Sequence, residues 1–162
     1  MYLSILTEKE KQLFLNLAYT LAYSDGEFGD EEKLLLDAYC NEMGTTFDRP
    51  ETAVSLNELL ESLKRDIFEN NRKVVYFELL GLAVVDGKYS EEEKKVMDTI
   101  REIFGLSREF ADQCYDFLTQ YLQLQERLTA LLLGVIVRKV FLLKKTNKRV
   151  ILFLPPVSGG SF

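Results

Sequence analysis

The sequence predicts an all-α protein: a bundle of about seven helices containing two related helical hairpins with an internal pseudo-two-fold. Three observations predict it. Apolar residues recur at helical spacing along most of the first 133 residues. Capping-box tetrads stand at Thr7–Glu10, Ser55–Glu58 and Ser90–Glu93. An acidic turn also occurs twice. Asp25-Gly26-Glu27-Phe28-Gly29-Asp30-Glu31-Glu32-Lys33 returns as Asp86-Gly87-Lys88-Tyr89-Ser90-Glu91-Glu92-Glu93-Lys94, an offset of 61. The same offset aligns Leu21-Ala22 with Leu82-Ala83, Asp37 with Asp98, and Gly44 with Gly105.

The first helix begins at Thr7, whose hydroxyl accepts a first-turn N–H while Glu10 reaches back. Leu13, Phe14, Leu17, Ala18, Leu21 and Ala22 form its apolar face, and Gly26 stops it. The second runs from about Asp30 to Met43 and ends at Gly44; its acidic first turn suits the positive end of the helix dipole. A connecting loop with Arg49-Pro50 follows. Ser55 starts the third helix, which carries Leu56, Leu59, Leu60, Leu63 and Ile67 and breaks at Asn70-Asn71. The fourth, about Arg72 to Val85, is apolar around much of its girth, which predicts a central place. The fifth runs from Ser90 to Gly105, the sixth starts after Ser107, and a seventh covers about Leu124 to Leu133.

Residues 1–133 therefore read as one helical domain and 134–162 as an extension. Within the extension, Gly134–Leu143 and Val150–Leu154 are rich in β-branched and aromatic residues, with a polar Lys144–Arg149 between them. A β-hairpin fits this pattern, and so does an extra helix continuing the apolar run. Either form needs support from the helices or from another chain. Residues 134–154 are thus a candidate surface for a protein partner or a homo-oligomer. The run is short for a membrane span and is interrupted by Arg138-Lys139.

Composition narrows the function. The net charge of −6 speaks against a nucleic-acid binder, whose affinity comes from neutralising phosphates. With no His there is no Ser–His or Cys–His dyad and no imidazole metal ligand. Cys40 and Cys114 lack zinc-ligand spacing and read as reduced thiols of a cytoplasmic protein, one disulfide being the alternative. The N-terminus has no signal-peptide pattern. The expectation is a non-enzyme with no catalytic residues.

The duplicated turns carry the one hint of chemistry. Each sets an Asp at the end of one helix and a Glu at the third position of the next: Asp25 with Glu32, and Asp86 with Glu93. One reading is a divalent cation, Ca²⁺ or Mg²⁺, held by these four carboxylates. The other is purely structural: the Asp bonds its own turn, the Gly supplies the bend and the Glu completes a cap. Neither copy has EF-hand spacing, and Lys88 replaces Glu27 in the second.

Leu21-Ala22-Tyr23-Ser24-Asp25-Gly26-Glu27-Phe28 followed by Glu32, and Leu82-Ala83-Val84-Val85-Asp86-Gly87-Lys88-Tyr89-Ser90 followed by Glu93, resemble the Asp-Gly signature of the tellurite-resistance TerB-like family. The resemblance spans roughly residues 8–133. It implies an all-α bundle with an internal pseudo-two-fold, a link to tellurite resistance and chemical-stress response, and metal binding through acidic residues, here Asp25, Glu32, Asp86 and Glu93. The related domain also occurs fused to J-domains, but this chain has no His and so lacks a J-domain's His-Pro-Asp motif. The segment after Gly134 departs from the family pattern.

Overall fold

The computed structural model describes residues 2–23, 30–48, 55–85 and 89–133. These form a 3-10 turn, Leu3–Ile5, and six α-helices: α1 Glu8–Ala22, α2 Asp30–Met43, α3 Leu56–Asp66, α4 Glu69–Val84, α5 Glu91–Ile103 and α6 Arg108–Leu133. No strand occurs among the described residues. The expected C-terminal hairpin or helix lies outside them, as does Gly26. The chain divides into two compact units, Met1–Leu118 and Thr119–Phe162.

In the first unit α1 packs against α2, α3 and α4, while α4 packs against α1, α5 and the 3-10 turn. Phe14, Leu15, Leu17 and Ala18 of α1 are fully buried, as are Leu63, Val75, Leu79, Met97 and Ile100 from α3, α4 and α5. Phe14 meets Tyr39 of α2 edge-on, with ring centroids 5.1 Å apart. The girdle of apolar residues on α4 is used as its pattern implies: Val75, Tyr76, Leu79, Leu80, Leu82, Ala83 and Val84 are all buried. Tyr76 and Phe77 of α4 also meet Phe110 and Phe117 of α6, at 6.2 and 5.9 Å between centroids.

The helix starts keep the offset seen in the sequence. Glu8 and Glu69, like Asp30 and Glu91, are 61 positions apart. The stops keep it too. Gly44 and Gly105 have φ of 61° and 68°, the left-handed conformation that glycine adopts without a Cβ penalty. Both close their helices with the same Schellman pair of bonds. Gly44 N–H donates to Asn41 O and Thr45 N–H to Cys40 O; Gly105 N–H donates to Glu102 O and Leu106 N–H to Arg101 O.

Three expectations need correction. The expected sixth and seventh helices are one continuous helix, α6, so the described residues hold six α-helices and not seven. Between Tyr121 and Leu128 the chain has no Gly or Pro to interrupt the backbone ladder. The break between α3 and α4 falls at Ile67-Phe68, both extended, and Asn70-Asn71 belong to the first turn of α4. Ser55 does stand at the start of α3, but its side chain makes no capping bond.

Cys40 and Cys114 are not disulfide-bonded. No helix among the described residues is long and apolar enough to cross a membrane.

Candidate functional site

Of the four carboxylates expected to form a site, only Glu93 has a described side chain. Asp25 and Asp86, and the side chain of Glu32, lie outside the described residues. Glu93 is placed by the N-terminus of α5. Ser90 N–H donates to Glu93 Oε2 at 2.8 Å, and Glu93 N–H donates to Ser90 Oγ at 3.2 Å. This is the reciprocal capping box, which satisfies two main-chain donors that a helix start leaves open. Around it Lys94 pairs with Glu91 at 2.7 Å and lies over the Tyr89 ring, 5.6 Å from its centroid. Tyr89 in turn stacks on Tyr115 of α6 at 5.6 Å. Burial, followed by nearby charges, pushes the Tyr89 hydroxyl well above its ordinary range.

The same box opens α1, with a different outcome. Glu10 Oε2 accepts from Thr7 N–H and from Thr7 Oγ1–H, both at 2.9 Å. Unlike Glu93, the Glu10 side chain is fully buried. Its Oε1 accepts Phe68 N–H at 2.9 Å, and the Asn71 amide donates to both oxygens at 3.0 Å. Burial alone raises a carboxyl pKa. Here hydrogen bonds from Thr7, Asn71 and Phe68 outweigh it and hold Glu10 below its usual 4.5. Glu10 therefore caps α1 and ties it to the start of α4.

A second pair of carboxylates converges where the chain begins. Glu78 of α4 is buried and accepts Tyr2 N–H at 3.1 Å. Glu42 of α2 accepts Leu3 N–H at 2.9 Å, while its Oε2 is buried without a hydrogen-bond partner. Tyr39 O–H donates to the Glu78 carbonyl at 3.0 Å. Burial raises the Glu78 pKa, and the bond from Tyr2 only partly opposes it. Burial raises Tyr39 as well, with Glu78 and Glu42 adding to the shift. These groups hold the first residues against α2 and α4. Sequence reasoning does not find them; the available signal is Glu78, a lone carboxylate within the apolar run of α4.

Chemically, these arrangements hold backbone in place. Among the described residues, no group of three or more Asp, Glu, Cys or His side chains is placed to hold a metal ion. A shallow, open depression of about 410 Å³ at the end of α2 is lined by Cys40, Asn41, Gly44, Thr45 and Thr46, none of them charged. No family model matches the chain, and no curated protein or solved structure shows significant similarity to it.

Proposed function

We propose that this chain is a non-catalytic helical interaction module of TerB-like character, whose duplicated acidic turns serve first as helix caps. The observation that carries this reading is the geometry of Glu93. Its Oε2 closes the cap on Ser90 N–H, as the structural account of the turn requires. The resemblance in the Asp-Gly turns supports a role in tellurite or chemical-stress response, and the reduced-thiol reading of Cys40 and Cys114 supports a cytoplasmic one. There it acts as a scaffold for a protein partner or a second copy, through residues 134–154.

In this reading the hairpins α1–α2 and α4–α5 are copies related by a pseudo-two-fold. Support comes from Glu10 and Asn71. They are themselves 61 positions apart, and they touch at 3.0 Å. Residues related by a two-fold meet each other only close to its axis.

A second reading keeps a divalent cation, Ca²⁺ or Mg²⁺, on Asp25, Glu32, Asp86 and Glu93. One observation favours it: the cap on Ser90 uses only Oε2 of Glu93, which leaves Oε1 for a hard cation. A melting titration with Ca²⁺, Mg²⁺, Mn²⁺ and Zn²⁺ separates the two. The cap reading expects no saturable shift at millimolar ion. A saturable rise in melting temperature, abolished by Asp25→Asn/Asp86→Asn, establishes the cation site instead.

A further inference from the structure

A short strap, Tyr2 to Ile5, lies ahead of α1 and is tied to the helices by ionisable anchors. Only Leu3 of its four residues is buried; Tyr2 and Ile5 are 66% and 56% exposed, and Ser4 is exposed as well. Besides that leucine, two main-chain bonds hold the strap. Tyr2 N–H donates to Glu78 of α4 at 3.1 Å, and Leu3 N–H donates to Glu42 of α2 at 2.9 Å. Because the two donors are consecutive amides, they draw the two carboxylates to one place. Among the described residues no side chain donates a hydrogen bond to either carboxylate, and Glu42 Oε2 is enclosed with no partner. Two neighbouring carboxylates so poorly supplied with donors resist carrying both charges at once.

The fold does not require carboxylates at these positions. The strap packs on α2 and α4, as α3 packs on α5 and α1. At the 61-residue offset Glu42 and Glu78 correspond to Ile103 and Leu17, both apolar. α3 satisfies its N–H groups within its own backbone ladder after its first turn, whereas the strap must find acceptors elsewhere. A neutral amide oxygen accepts such N–H groups too. What a carboxylate adds is a dependence on protons.

We propose that Tyr2–Ile5 is a pH-sensitive strap, docked between α2 and α4 while Glu78 is protonated and released as Glu78 ionises. From α2, Glu42 and Tyr39 face Glu78; from the chain start, the α-amino group and Tyr2 N–H do. Burial, reinforced by Glu42 and opposed by Tyr2 N–H and the α-amino group, holds Glu78 above the ordinary 4.5. Tyr39 is pushed upward by its burial and stays neutral. Release gives the Glu78 carboxylate back to water. A group raised in the docked state supports docking at low pH and loses that support as pH rises through the raised value. The undocking constant therefore climbs by up to about tenfold per pH unit from 4.5 to that value and then levels off.

The test follows the heteronuclear ¹⁵N NOE of Ser4 and Ile5 in the full chain between pH 5.5 and 7.5, with the Glu78 carboxyl ¹³C shift recorded on the same samples. At pH 5.5 both amides are expected near the value of α1. Toward pH 7.5 they fall together with the ionisation of Glu78, while α1 and α4 stay unchanged. Glu78→Gln keeps the Tyr2 acceptor without the charge, so its strap stays rigid at every pH. A rigid strap across the titration of Glu78, or a Glu78 that does not titrate in this range, overturns the proposal. So does a strap that is loose at every pH, or one that still loosens in Glu78→Gln. Loosening abolished by Glu42→Gln but kept in Glu78→Gln also overturns it, assigning the switch to Glu42.

Discussion

Glu10 and Glu78 are both buried carboxylates, yet they act on stability in opposite directions. Glu10 has its acceptor capacity filled by Thr7, Phe68 and Asn71, and its pKa lies below the ordinary 4.5. Its contribution is present above 4.5 and fades as pH falls through the lowered folded value. Glu10→Ala leaves the Phe68 N–H and the Asn71 amide without their acceptor, a loss of about 3 kcal/mol. At about 2–4 °C per kcal/mol for a chain of this size, a thermal melt at pH 7 should fall by roughly 6–12 °C. Glu78 has its pKa raised by burial. A carboxyl whose folded pKa is raised favours folding when protonated, and that advantage is lost as pH rises through the folded value. Glu78→Gln should therefore raise the melting temperature at pH 7.5, with the gain shrinking toward pH 4.5. A loss of equal size at both pH values would mean that the ionised form is not penalised. At this scale the sequence was partly legible. Thr7–Glu10 and Ser90–Glu93 announced themselves by spacing and formed. Ser55–Glu58 has the same spacing, but its Ser makes no side-chain cap. The burial of Glu10 was not legible, because it depends on α4 arriving beside α1.

At the scale of elements, the repeat governs where helices begin and end. Helix starts at Glu8 and Glu69, and at Asp30 and Glu91, share one offset, as do the stops at Gly44 and Gly105. A Cβ at either glycine meets no atom within 4 Å, so substitution costs only backbone conformation. Gly44→Ala and Gly105→Ala should each lose about 1–2 kcal/mol in a denaturant melt, and by similar amounts. A marked difference between them would show that the two stops are not equivalent in energy. The boundary at Ile67-Phe68 was harder to read. Asn70-Asn71 looks like a breaker by propensity, but Asn71 sits in the first turn of α4 with its side chain on Glu10. Its tertiary bond outweighs the few tenths of a kcal/mol that intrinsic propensity controls.

At the scale of the whole molecule, the first unit has its own core, built from α1 to α5 and closed over α4 by Phe110 and Leu118. A chain ending at Leu133 should keep a cooperative helical melt, with a midpoint within about 2 °C of the full chain, since no residue of that core is removed. Loss of cooperativity in circular dichroism would show that residues 134–162 belong to the core. Helical periodicity, the capping tetrads, the glycine stops and the 61-residue repeat were determined by the sequence alone, because each rests on neighbours within a turn or two of backbone. The pairing of α1 with α4 through Glu10, Phe68 and Asn71, the pinning of Tyr2 and Leu3 by Glu78 and Glu42, and the fusion of the last two expected helices into α6 were decided only by tertiary structure. Those features depend on which distant donors a buried carboxylate meets, and on which apolar faces find cover. Such energies arise only between elements already brought together.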